Sequence, residues 1–127
     1  MKAMTTGRLL DALARLPDDL KILRESAKSG HGYRGILATR SEGVMLLCRD
    51  SKADAWLTVG ELREQLQVAI AHGISREAPV TKYAPGSVLD YWVKRVFSDC
   101  LVSGGHRYDY AVIKTETDPP SAVYGGV

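Results

Sequence analysis

The chain has 127 residues, 45% of them apolar and 25% charged, which suits one folded domain and argues against wholesale disorder. A formal charge of +2 is too near neutral to mark a nucleic-acid binder by charge alone. The longest apolar runs, such as Val44-Met45-Leu46-Leu47-Cys48, are too short to span a bilayer, and Met1-Lys2-Ala3-Met4 lacks a secretory apolar stretch. No membrane partner and a cytoplasmic location are therefore expected.

In chain order, Thr5 and Thr6 offer an N-cap, and Leu9, Leu10, Leu13 and Leu16 recur at helical spacing until Pro17 stops the pattern. Residues 20–26 fit either a short strand or a helical turn. The Gly-rich basic segment Lys28-Ser29-Gly30-His31-Gly32-Tyr33-Arg34-Gly35 leads into two apolar runs around a short polar turn, a β-hairpin at about 35–49.

The second helix begins at Thr58, with Glu61 three residues on. That spacing predicts a capping box, in which each side chain satisfies the other's free backbone N–H. Leu62, Leu66, Ala69 and Ile70 form its apolar stripe, and Gly73 ends it. Residues 75–86 read as loop, with a short strand at Pro79-Val80-Thr81.

Ser87 caps a predicted third helix, with Leu89, Trp92, Val93, Val96, Phe97 and Cys100 along one side and Asp90 and Lys94 as an ion pair on the other. A second Gly-rich basic loop, Ser103-Gly104-Gly105-His106-Arg107, precedes a closing strand at about 108–115, with Tyr108, Tyr110 and Val112 on one face. Residues 117–127 read as a flexible tail on a single compact domain of residues 1–116. The expected fold is α+β: a small, mainly antiparallel sheet, the hairpin plus the C-terminal strand, with three helices packed on one face.

Two internal echoes stand out. Thr5-Thr6-Gly7-Arg8-Leu9 with Leu13 matches Thr58-Val59-Gly60-Glu61-Leu62 with Leu66, as T-x-G-x-L-x-x-x-L; its simplest reading is two helix starts capped alike. Ser29-Gly30-His31 with Tyr33 and Arg34 matches Ser103-Gly104-Gly105-His106 with Arg107 and Tyr108. The T-x-G-x-L start with its acidic box resembles one common in small accessory proteins of phages and mobile elements, which implies such an origin and no chemistry.

No catalytic or metal motif emerges. His31, His72 and His106 lack further ligands at metal-binding spacing, so neither metal nor cofactor is expected. Cys48 and Cys100 both continue apolar patterns, which predicts buried, reduced thiols. The two Gly-rich loops carry the one coherent constellation: Gly30, His31, Tyr33 and Arg34 with Gly104, Gly105, His106, Arg107 and Tyr108. Glycine backbone can approach an anion, arginine can fork onto phosphate and tyrosine can stack on a base. Trp56, just before the second helix, reads either as a staple residue packing on that helix or, if exposed, as a candidate interface residue with Tyr91 and Arg95, since Trp, Tyr and Arg dominate binding hot spots.

The function expected is a small non-catalytic binding module, a phage or mobile-element accessory protein that modulates or inhibits a host protein. The alternative is a nucleic-acid or nucleotide binder using the two basic loops. Association into homo-oligomers is compatible with either reading.

Overall fold

The computed structural model describes residues 4–28, 30–49, 56–83 and 91–117. Thr5 caps helix α1 (Thr6–Leu13), its hydroxyl accepting from the Arg8 amide. The chain then turns at Pro17 into strand β1 (Lys21–Arg24), followed by the hairpin of β2 (Gly32–Thr39) and β3 (Gly43–Arg49). Thr58 caps α2 (Val59–Ala71) with both halves of the capping box formed, and Gly73, at φ 102°, ends that turn. Strands β4 (Val80–Tyr83), β5 (Tyr91–Ser103) and β6 (His106–Thr117) complete the fold.

The six strands run in sequence order round a closed barrel. Most pairing falls in two three-stranded sheets. In one, the β2–β3 hairpin carries β4 parallel to β3; in the other, the β5–β6 hairpin carries β1 parallel to β6. Among the described residues the sheets meet at two narrow seams, Leu23 with Gly32 on one side, Thr81 with Trp92 and Lys82 with Tyr91 on the other.

Each seam is filled by the start of a helix. At the first, the Leu57 amide donates to the Tyr33 carbonyl (2.8 Å) and the Leu57 carbonyl accepts from Ile22 (2.9 Å). At the second, the Met4 amide donates to the Val93 carbonyl (2.9 Å) and the Met4 carbonyl accepts from Val80 (3.0 Å). The match continues into the helices. Val59 and Gly60 donate to Leu20 and Asp18, as Thr6 and Gly7 donate to Ala78 and Arg76.

The chain is therefore two copies of one α-β-β-β unit. The registers agree pair by pair: Ile22 opposite Ala111 corresponds to Val80 opposite Val44, and both long hairpins carry a β-bulge at the same place, between Tyr33 and Gly35 and between Val93 and Arg95. This overturns the reading of T-x-G-x-L as no more than two similar caps. The Thr caps each helix at its seam. The Gly lets the chain pass close: a Cβ on Gly7 would lie 3.0 Å from Arg76 Nε, and one on Gly60 3.1 Å from Asp18 Cβ. The leucines, Leu9, Leu13, Leu62 and Leu66, are fully buried. They join Ile22, Tyr33, Val44, Leu46, Val80, Val93 and Ile113 in one core between helices and strands. The Gly-His echo has no such basis, because Gly30 lies between β1 and β2 whereas Gly104 and Gly105 join β5 to β6.

Among the described residues the expected architecture is corrected in two respects: the fold has two helices, not three, and its sheet has six strands rather than a hairpin plus one. The predicted third helix is strand β5 from Tyr91 onward. The cause is the bulge at Lys94, which turns both Val93 and Val96 toward the core and so gives a strand the three-residue step of a helix. Cys100, predicted to be buried on that helix, is exposed on the strand, and Cys48 is half-buried; both are free thiols. Lys94 pairs with Glu116 across the hairpin. Ser87, Leu89 and Asp90 lie outside the described residues, as does the tail beyond residue 117.

Candidate functional site

The equivalence of the halves isolates what one half has and the other lacks. Past the bulge, β2 runs from Gly35 to Thr39, five residues; β5 runs from Arg95 to Ser103, nine residues. The four additional residues on β5, Cys100–Ser103, pair with His106–Asp109 and extend the second hairpin by roughly 13 Å at 3.3 Å per residue. Gly104 and Gly105, at φ 59° and 79°, make the two-residue turn whose positive φ matches strand twist.

This arm leaves the barrel. Val102 is 68% exposed and Tyr108 46%, while Cys100, Ser103, His106, Arg107 and Asp109 are exposed too. At its base Leu101 and Tyr110 pack against Leu23, Ala27 and Trp56, a small second cluster outside the main core. Arg107 Nε bonds Asp109 Oδ1 at 3.1 Å, and this carboxylate raises the affinity of the guanidinium for its proton. His106 and Tyr108 stand together with ring centroids 6.5 Å apart.

The candidate residues named from sequence divide accordingly. Gly104, Gly105, His106, Arg107 and Tyr108 are the arm's tip. Gly30 and His31 lie at the β1–β2 connection, and Arg34 is exposed at the β2 bulge, where it lines an open cleft of about 740 Å³ beside α2. Arg107 instead lines clefts beside Pro17 and Leu20. Tyr33 is wholly buried, its hydroxyl donating to the Ile113 carbonyl at 3.2 Å, and burial pushes its phenol far above the usual tyrosine range. Trp56 is 8% exposed and lies over Gly32, where a Cβ would come within 2.4 Å of the indole; it is a packing residue rather than an exposed anchor. Tyr91 is half-buried with the Lys82 ammonium over its ring, and Arg95 is exposed over the ring of Phe97.

The α2 cleft has an apolar floor of Ile36, Ala38 and Leu47 and carries Glu61 and Glu64. Glu61 is engaged in the capping box. The Thr58 amide, and after it the Thr58 hydroxyl, holds its carboxyl below the ordinary range. In the other half a smaller cleft is lined by Met4 and the α1 residues Arg8, Asp11, Ala12 and Arg15, with no strand residue in its wall. Among the described residues, no group of three His, Cys, Asp or Glu could hold a metal ion, and no helix is long and apolar enough to cross a membrane.

Sequence reasoning missed Leu101, Val102 and Asp109 as parts of one exposed element. The signal was the Gly104-Gly105 pair between alternating segments, a hairpin turn that the helix assigned before it concealed. The chain matches no family model, no curated protein and no solved structure.

Proposed function

We propose that this protein is a non-catalytic binding module that docks on a partner protein through the β5–β6 arm. The observation that carries the reading is the arm's status as an addition: the first half closes its side of the barrel with a shorter hairpin. Beyond Leu101, which packs at the arm's base, a two-stranded ribbon exposing Val102 and Tyr108 gains little for folding, because it buries little apolar surface. The same surface suits an interface centred on aliphatic and aromatic side chains with a polar rim. The accessory-protein reading, with a host protein as target and its modulation or inhibition as outcome, goes with this proposal and rests on the resemblance of the helix starts alone.

A ribbon can also enter a nucleic-acid groove, the second reading, and Arg107 and His106 at the tip favour it. Against it, Asp109 on the arm and Asp99 just before it offset the arm's cations, and Arg107 is already bonded to Asp109.

The test replaces Cys100–Asp109 by Asn-Gly, which joins Asp99 to Tyr110 and gives the second hairpin a length close to that of the first. This variant should keep the barrel's cooperative melting. It should lose a protein that the intact chain retains from cell extract, and Val102→Asp should lose the same protein. Identical captures by all three chains would refute the reading. Binding of oligonucleotides by the intact chain that weakens steeply with salt would favour the nucleic-acid reading instead.

A further inference from the structure

We infer that β5 pairs with β5 of a second copy of this chain, antiparallel and centred on Phe97. This goes beyond the partner-docking reading and does not depend on what the arm's tip binds.

The inference starts from an open edge. One edge of β5 is paired along its length with β6. The other meets β4 only at Tyr91 and Trp92, and the Val93 carbonyl accepts from Met4. Among the described residues nothing pairs with that edge from Arg95 to Ser103. An unpaired strand edge is a template for another strand.

The backbone groups along that edge have the parity the pairing needs. The Cys100 amide donates to Asp99 Oδ1 at 2.8 Å, within its own strand. In an antiparallel ladder, alternate residues turn their amides and carbonyls toward opposite neighbours, so Val96, Ser98 and Cys100 present theirs to the open side. Centring a twofold axis on Phe97 sets Val96 opposite Ser98 of the second copy, where the two residues exchange both hydrogen bonds, and repeats that exchange on the other side of the axis. The Cys100 amide would leave its Asp99 carboxylate and meet the partner strand.

The side chains supply the choice of occupant. Arg95, Phe97 and Asp99 share one face of β5, as the Arg95 guanidinium over the Phe97 ring at 4.7 Å confirms for the first two. Among the described residues neither Arg95 nor Asp99 forms an ion pair. The order cation, aromatic, anion at two-residue steps is self-complementary under antiparallel pairing. Arg95 faces Asp99 of the second copy twice, and Phe97 faces Phe97, as a twofold interface requires. A register centred on Asp99 would instead oppose two carboxylates. The equivalent positions on β2 are Gly35, Leu37 and Thr39, so the first half has no such strip.

Sedimentation velocity over a concentration series tests this on the full chain. The wild type should pass from monomer to dimer. Arg95→Glu sets two carboxylates opposite each other at both ends of the pairing, and Asp99→Lys sets two cations there. Each should weaken dimerisation roughly tenfold or more, since like charges directly opposite destabilise a strand pair. The doubly swapped Arg95→Asp/Asp99→Arg chain should recover it. An equimolar mixture of the two single variants should form a heterodimer that neither forms alone. At one end of that pairing the introduced glutamate meets the introduced lysine, and at the other the retained Asp99 meets the retained Arg95. Circular dichroism on each variant establishes that it is folded. A wild type that stays monomeric at its highest attainable concentration overturns the proposal. So does a dimer that survives both single substitutions, or a swapped chain and a mixture that both stay monomeric.

Discussion

Tyr33 is the largest of the fully buried side chains among the described residues, and its one polar side-chain atom is spent on the Ile113 carbonyl. The bond ties β2 to β6 across the interior, joining the two sheets at a point where they share no ladder. Tyr33→Phe keeps the ring's packing and removes the donor, so unfolding in denaturant should show a loss of about 0.5–2 kcal/mol with an unchanged m-value. At this scale the sequence misleads for a plain reason. Tyr33 lies inside a Gly-rich basic segment, and composition alone does not say that Gly32–Thr39 is already strand. For Trp56 the sequence leaves packing and exposure both open, because its seat over Gly32 is made by a residue distant in the chain.

The helices are the elements most open to prediction. The signals at α2 are local and agree with one another: Thr58 with Glu61, the Leu62 and Leu66 stripe, Gly73 at the end. Its capping box also has a titration. The Thr58 amide holds Glu61's carboxyl below its ordinary value, so the folded state prefers the carboxylate. The stability this confers is complete above the unfolded glutamate pKa of about 4.3 and is lost as pH falls through the lower folded value. Glu61→Gln keeps an acceptor for the Thr58 amide but no charge. The gap in melting temperature between wild type and this variant should be constant at neutral pH and close on acidification; a gap independent of pH would separate the cap from its charge. Strand β5 is the opposite case. Its bulge at Lys94 gives Val93 and Val96 helical spacing, and the partner strand that decides the matter lies beyond the turn.

For the whole molecule, closure of the barrel is what no local pattern announces. The parallel pairings of β1 with β6 and of β3 with β4 join segments remote in sequence, and neither half owns a complete sheet. The repeated T-x-G-x-L was visible, but its meaning needed the seams that both copies fill. Because each half borrows a strand from the other, they should unfold as one unit. Leu13→Ala and Leu66→Ala, at equivalent and fully buried positions, should each cost about 2–5 kcal/mol. Each variant should still show one transition, coincident by circular dichroism and tryptophan fluorescence. Two separated transitions would mean that the halves are independent domains.

The parallel pairing of β1 with β6 also has a consequence for the order of events during synthesis. The ladder partner of β1 is residues 110–113, so β1 waits through translation of nearly every other element before that pairing can form. Until then, Ile22 and Leu23 form a nascent strand with an unsatisfied edge, and the slow step is closure of a long loop rather than formation of any helix. Such a chain is most exposed to aggregation while its last strand is still within the ribosome, however stable the finished barrel.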